Sequence, residues 1–243
     1  MMFLDLFKEK KPILGMLHLT GDSPKEKRAQ CLKEAAIYKR CGVDGMIVED
    51  YFGSRHDVVD CLKALAQTDE YVLGVNVLDN FSFSYEAAAL YGGCFVQVDS
   101  AAGHLPPALD KPYGEMIAAY RRSGDIQVIG GVRFKYQPIL SGRTLEEDMR
   151  LGLERCDAIA CTGEGTGLET TTDKIRRFRE LMGDYPLVVA AGMTPDTVGE
   201  KLAIGDAAIV GSYFKEGHVD TGLVNEEYVK IFMDKVFRLR EEG

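Results

Sequence analysis

Short apolar runs recur eight times along the chain, and after each one apolar positions return at helical spacing among charged residues. The runs lie at 13–19, 45–50, 71–78, 94–100, 127–134, 158–163, 187–192 and 207–213. Helical composition follows at 25–40, 56–67, 85–91, 113–122, 145–155, 173–182 and 195–204, and a stretch at 226–240 closes the chain. Runs that stay apolar instead of alternating are expected of parallel strands buried on both faces. Eight strand-then-helix units predict a (β/α)₈ barrel of the TIM type, one domain over residues 1–243, and that length suits the fold. An open doubly wound sheet is the runner-up. It would usually carry a Gly-rich dinucleotide fingerprint after its first strand, and Leu17-His18-Leu19-Thr20-Gly21-Asp22 is not one.

Charge and composition narrow the class. A net charge of −9 argues against nucleic-acid binding, which needs a basic surface. No segment has the roughly 20 apolar residues of a membrane span, and the first eight residues lack the pattern of a secretory leader. The six cysteines form no C-x-x-C pair, so they read as buried thiols of a cytoplasmic protein. Homo-oligomerisation is expected only because it is common among such barrels.

In this fold chemistry sits at the carboxyl ends of the strands. Asp44, Asp157 and Asp206 each precede a strand, at the opposite face, and are therefore read as structural. The seventh strand ends in Ala191-Gly192-Met193-Thr194-Pro195-Asp196, where Thr194 is placed to cap a helix beginning at Pro195, and Gly192 would let the backbone approach an anion. The eighth ends in Gly211-Ser212-Tyr213-Phe214-Lys215, with Lys215 beside the same corner. Together these predict a phosphate site at Gly192, Met193, Thr194, Gly211 and Ser212.

The sixth strand runs into Cys161-Thr162-Gly163-Glu164-Gly165-Thr166-Gly167, a polar loop around one carboxylate. His18, Glu49, Asp50, Asn76, Asn80, Asp99, His104 and Lys135 also emerge at strand ends. Glu49, Asp99, Lys135 and Glu164 are the catalytic candidates, and His18, Asn76, Thr162 and Gly163 are expected to bind substrate. A buried Glu49 would need a lysine, a metal or a substrate hydroxyl to compensate it. Ion pairing is preferred to a Schiff base for Lys135. His56 and His218 are given no role. No cofactor is required by the sequence, and metal stays open, these donors suiting Mg²⁺ better than Zn²⁺.

Six blocks in order resemble the BtpA family, which includes SgcQ-like proteins. They are Lys11 to Leu19, Gly42 to Asp50, Leu73 to Asn80, Cys161 to Gly167, Ala191 to Thr194, and Ile209 to Lys215. The resemblance implies a phosphate-binding barrel acting on phosphorylated sugars, in a family best known for a role in photosystem I biogenesis. Two functions follow as expectations: acid/base chemistry on a sugar phosphate (isomerisation, aldol or other lyase chemistry, glycosidic cleavage), or a non-catalytic assembly factor. The chain departs from the family where the fifth strand reads Gly130-Gly131-Val132-Arg133-Phe134-Lys135-Tyr136, keeping the lysine but lacking the family's acid and histidine.

Overall fold

A computed structural model describes residues 2–68, 71–163, 165 and 167–242. Eight parallel strands close a barrel in sequence order: β1 Ile13–Leu17, β2 Gly45–Glu49, β3 Leu73–Asn76, β4 Phe95–Ala102, β5 Gln127–Val132, β6 Ala158–Thr162, β7 Leu187–Ala190 and β8 Ala207–Val210. Closure comes from β1 pairing with β8, Leu14 opposite Ile209. Around them lie α1 Pro24–Arg40, α2 Arg55–Leu65, α3 Phe81–Leu90, α4 Pro107–Ser123, α5 Leu145–Arg155, α6 Thr172–Met182, α7 Val198–Leu202 and α8 Glu226–Glu242. The expected fold is therefore the observed one. All six cysteines are free thiols, and no helix among the described residues is long and apolar enough to cross a membrane.

The core has two layers because each strand buries both faces. Between strands and helices, residues such as Ile13, Val48, Val75, Val128 and Val189 pack on Tyr38, Leu62, Met149 and Phe232. The helix α8 buries Val229, Phe232 and Met233, so its apolar stretch is accounted for by packing on the barrel. Inside the barrel, Leu14, Ile47, Phe95, Ile129, Val188 and Ile209 fill the axis. A short 3₁₀ turn at Phe3–Leu6 lies against the amino-terminal end of this inner core. There Phe3, Phe7 and Phe95 meet edge to face, with ring centroids 5.4 to 6.4 Å apart. Such pairs add to the burial they share. Gly74 makes room for this plug: a Cβ there would come within 2.1 Å of the Phe95 ring.

The three aspartates that precede strands work as staples at the same end. Asp44 accepts the Ile13 amide at 2.7 Å and Arg240 at 2.6 Å. Asp157 accepts the Val128 amide at 2.8 Å and pairs with Arg121. Asp206 accepts the Leu187 amide at 2.9 Å and Arg179 at 2.5 Å. Each ties down an N–H at the start of the preceding strand, where a buried donor left unpaired would be costly.

Backbone strain is concentrated at the other end. Seven non-glycine residues among those described have positive φ, and six of them, Leu19, Asp79, Arg133, Tyr136, Ala191 and His218, lie in loops that follow strands. Such residues persist only where the surroundings enforce them.

Candidate functional site

A cavity of about 300 Å³ opens at the carboxyl ends of the strands. At its base lie His18, Glu49 and Asp99, with Asn76, expected to touch substrate, buried behind the lining on the neighbouring strand. His18 follows β1, Glu49 ends β2, Asn76 ends β3 and Asp99 lies within β4. The amide of Asn76 donates to Glu49 Oε1 at 2.7 Å and to Asp99 Oδ1 at 3.3 Å, so one nitrogen bridges two carboxyl groups. Gln97 adds a second donor to Asp99 at 3.4 Å.

The hydrogen-bond partners determine where the protons sit. His18 Nδ1 lies 3.2 Å from the carbonyl oxygen of Asp220. A carbonyl can only accept, so the imidazole carries its hydrogen on Nδ1. Nε2, 3.3 Å from Glu49 Oε2, is satisfied either as the donor of an imidazolium to an ionised Glu49 or as a neutral acceptor of the Glu49 proton. So buried a place favours the two uncharged groups over the ion pair. Burial agrees: it lowers the His18 pKa to about 3, helped by nearby Lys215. Burial first, and the Asp99 charge second, push Glu49 up to about 8. The pair at neutral pH is thus a neutral histidine and a protonated glutamate. Asp99 is also raised by burial, but the amides of Asn76 and Gln97 favour its ionised form.

The remaining candidates fall in several places. Lys135 lines the cavity, its amide donates to Thr162 Oγ1 at 3.4 Å, and its ammonium lies 5.6 Å over the Tyr136 ring. Its charge lowers the pKa of both Glu49 and Asp99. Thr162, Gly192, Met193, Thr194, Gly211 and Ser212 line the same cavity. Gly163 instead faces a neighbouring cavity over β5 and β6. His104 packs on Tyr113 and does not line the main cavity. Glu164 lies outside the described residues. Among the described residues, no three His, Cys, Asp or Glu side chains are grouped to hold a metal ion.

Four expectations need correction. The helix after β7 begins at Val198, not Pro195, because Thr197 Oγ1 captures the Thr194 amide at 3.1 Å and the segment turns before it coils. Gly192, at φ 63°, makes its close approach to protein: a Cβ there would lie 2.3 Å from Glu169 Cα. Replacing Gly192 with alanine should therefore displace the 168–170 loop, costing more than ~1 kcal/mol in urea unfolding and speeding amide exchange there. Lys215 is buried away from the corner and donates to the Asp220 carbonyl at 2.9 Å, the acceptor it shares with His18. Burial lowers its pKa to about 8. His218 lines the cavity, stacked on Tyr213 with centroids 4.8 Å apart. The lysine expected to compensate Glu49 is near it, the charge of Lys135 favouring the ionised form, and the Asn76 amide acts in the same sense.

Several participants carried no motif. Tyr51 and Tyr136 line the mouth from loops without periodicity. The Asp220 carbonyl is a backbone group that no side-chain pattern reveals.

Comparison with known proteins agrees with this architecture. Phosphoribosyl anthranilate isomerase from Thermus thermophilus superposes with a TM-score of 0.63 at 14% identity, covering 94% of this chain and 99% of that one. The photosystem I biogenesis protein BtpA of Synechocystis is 24% identical, over 98% of this chain and 90% of its own length. The sgc-region protein SgcQ of Escherichia coli is also 24% identical, over 69% and 65%. The BtpA family model matches residues 9–238, and with that match over nearly its whole length the chain belongs to the BtpA family.

Proposed function

We propose that this barrel is an enzyme that binds a phosphorylated sugar or a related small metabolite and acts on it by proton transfer, as in an isomerisation, a lyase reaction or glycosidic cleavage. The observation that carries the reading is the buried Glu49, protonated against a neutral His18 and bridged by Asn76 to Asp99. Two carboxyl groups whose surroundings separate their proton affinities divide into an acid and a base. Glu49 holds its proton at neutral pH and can donate it to a substrate oxygen. Asp99, supplied with two amide donors, ionises first and can accept a proton. Lys135 lies near enough to stabilise negative charge that develops between them.

The corner formed by Gly192, Gly211 and Ser212 supports the phosphate half of the reading. It joins the loops after β7 and β8, where barrels of this type commonly hold phosphate. The Thermus thermophilus neighbour is named for a phosphoribosyl substrate. An assembly scaffold, the role named for the Synechocystis relative, has no need of a buried acid that costs stability above neutral pH.

Melting temperature should rise with inorganic phosphate and with sugar phosphates. A ligand at a hundredfold its Kd stabilises the native state by about 2.7 kcal/mol. In Gly211→Asp the shift should vanish, since position 211 lies beside Met16 and His18 and a carboxylate there would face the anion. If no phosphorylated compound shifts the wild-type protein, the proposal fails.

A further inference from the structure

We infer that the mouth of the cavity receives a planar unsaturated ring, so that the substrate is a phosphorylated sugar bearing such a ring and not a bare sugar phosphate; this rests on the phosphate reading above. Four rings line the mouth: Tyr51 from the loop after β2, Tyr136 from the loop after β5, and Tyr213 and His218 from the segment after β8. They lie above the acid–base pair, since Tyr51 is 37% and Tyr136 72% exposed while Glu49 is 6% exposed. Beside a sugar phosphate held at the Gly192 and Gly211 corner, with its carbons over Glu49 and Asp99, these four rings line the rest of the mouth on three sides.

The rings are prearranged. Tyr213 and His218 are parallel to within 10°, and His218 Nδ1 is bonded to the Tyr213 carbonyl at 3.0 Å. Tyr228 packs on both, and Phe232 on Tyr213. Tyr51 lies against His18 and Phe52, with centroids 5.1 and 4.8 Å away. Tyr136 and His218 are held at φ 61° and 54°, a conformation that a bulky side chain adopts only when its surroundings enforce it. Rigid aromatic walls lose little freedom on binding and offer flat faces to a flat partner. Stacking accepts any such ring, because every one has a π-face.

Isothermal titration of the intact protein with inorganic phosphate, ribose 5-phosphate, and adenosine and uridine 5′-monophosphates tests this. The expected result is that at least one nucleotide binds ten or more times more tightly than ribose 5-phosphate. Tyr136→Ala and Tyr51→Ala, both at exposed positions that leave the core intact, should remove most of that advantage with ribose 5-phosphate affinity unchanged. Nucleotides that bind no more tightly than ribose 5-phosphate overturn the inference and leave the phosphate reading standing. An advantage that survives both substitutions overturns the assignment to these rings. Absence of binding by every phosphate overturns both.

Discussion

Unfolding in urea followed across pH should show stability falling as pH rises from about 6.5 to about 8, and the Glu49→Gln variant should lack that fall. Glu49 is raised from an ordinary value near 4.5 to about 8, so between those values the native state holds a proton that the unfolded chain has released. Stability therefore decreases with rising pH across that window. His18 acts in the opposite sense. Lowered from 6.5 to about 3, it is neutral in the native state while the unfolded chain would be charged, so stability rises with pH between those values. The two slopes cancel from 4.5 to 6.5, leaving a plateau flanked by an acid limb from His18 and an alkaline limb from Glu49. Glutamine can still donate to His18 Nε2 but cannot ionise, so the alkaline limb should disappear and the plateau should become a rise carried by His18 alone up to about 6.5, a difference of a few kcal/mol at the far end. The same substitution should lower turnover of a substrate found by the binding experiments by roughly 10²–10⁴-fold, the usual contribution of a general acid. A variant with an unchanged alkaline limb would show that Glu49 is ionised in the native protein, and the acid role would be lost with it.

Replacing Asp148 with alanine should cost about 3–5 kcal/mol, the usual result of removing one partner from a buried ion pair. Its carboxylate is fully buried and accepts from Arg133, Arg143 and the Ser141 hydroxyl, each at 2.9 Å. Arg143 also reaches Asp110 at 2.9 Å, and Arg155 grips that aspartate at 2.7 and 3.0 Å while donating to the Ala101 carbonyl. The network ties the ends of β4 and β5 to α4 and α5, beneath the loop that carries Lys135 and Tyr136. Loss of Asp148 leaves two guanidinium groups and a buried hydroxyl without this acceptor. Urea unfolding measures the cost, and a value under 1 kcal/mol would mean that solvent replaces the carboxylate with ease.

The barrel was legible because both faces of every strand are buried, and burial on two sides writes a continuous apolar run. The same signal overshot the strand ends. The run at 13–19 continues past Leu17 because Leu19, though in a loop, is buried too. The carboxylates Glu49 and Asp99 and the bridging Asn76 could be chosen from their positions at strand ends. The proton arrangement could not, since it depends on the Asp220 carbonyl, 202 residues from His18. Thr194-Pro195 carried a helix-start signal that Thr197 redirected into a turn. Tyr136 and His218 were silent in the sequence, because what brings them to the mouth is a positive φ in loops without periodicity.

The plug of Phe3, Phe7 and Phe95 makes the barrel a blind vessel, stoppered at one end and open at the other. Whatever occupies the mouth then stands between Glu49 and bulk water, like a cork in a neck. The proton on Glu49 would be trapped while the occupant stays, and its exchange with solvent would keep time with the departure of the ligand.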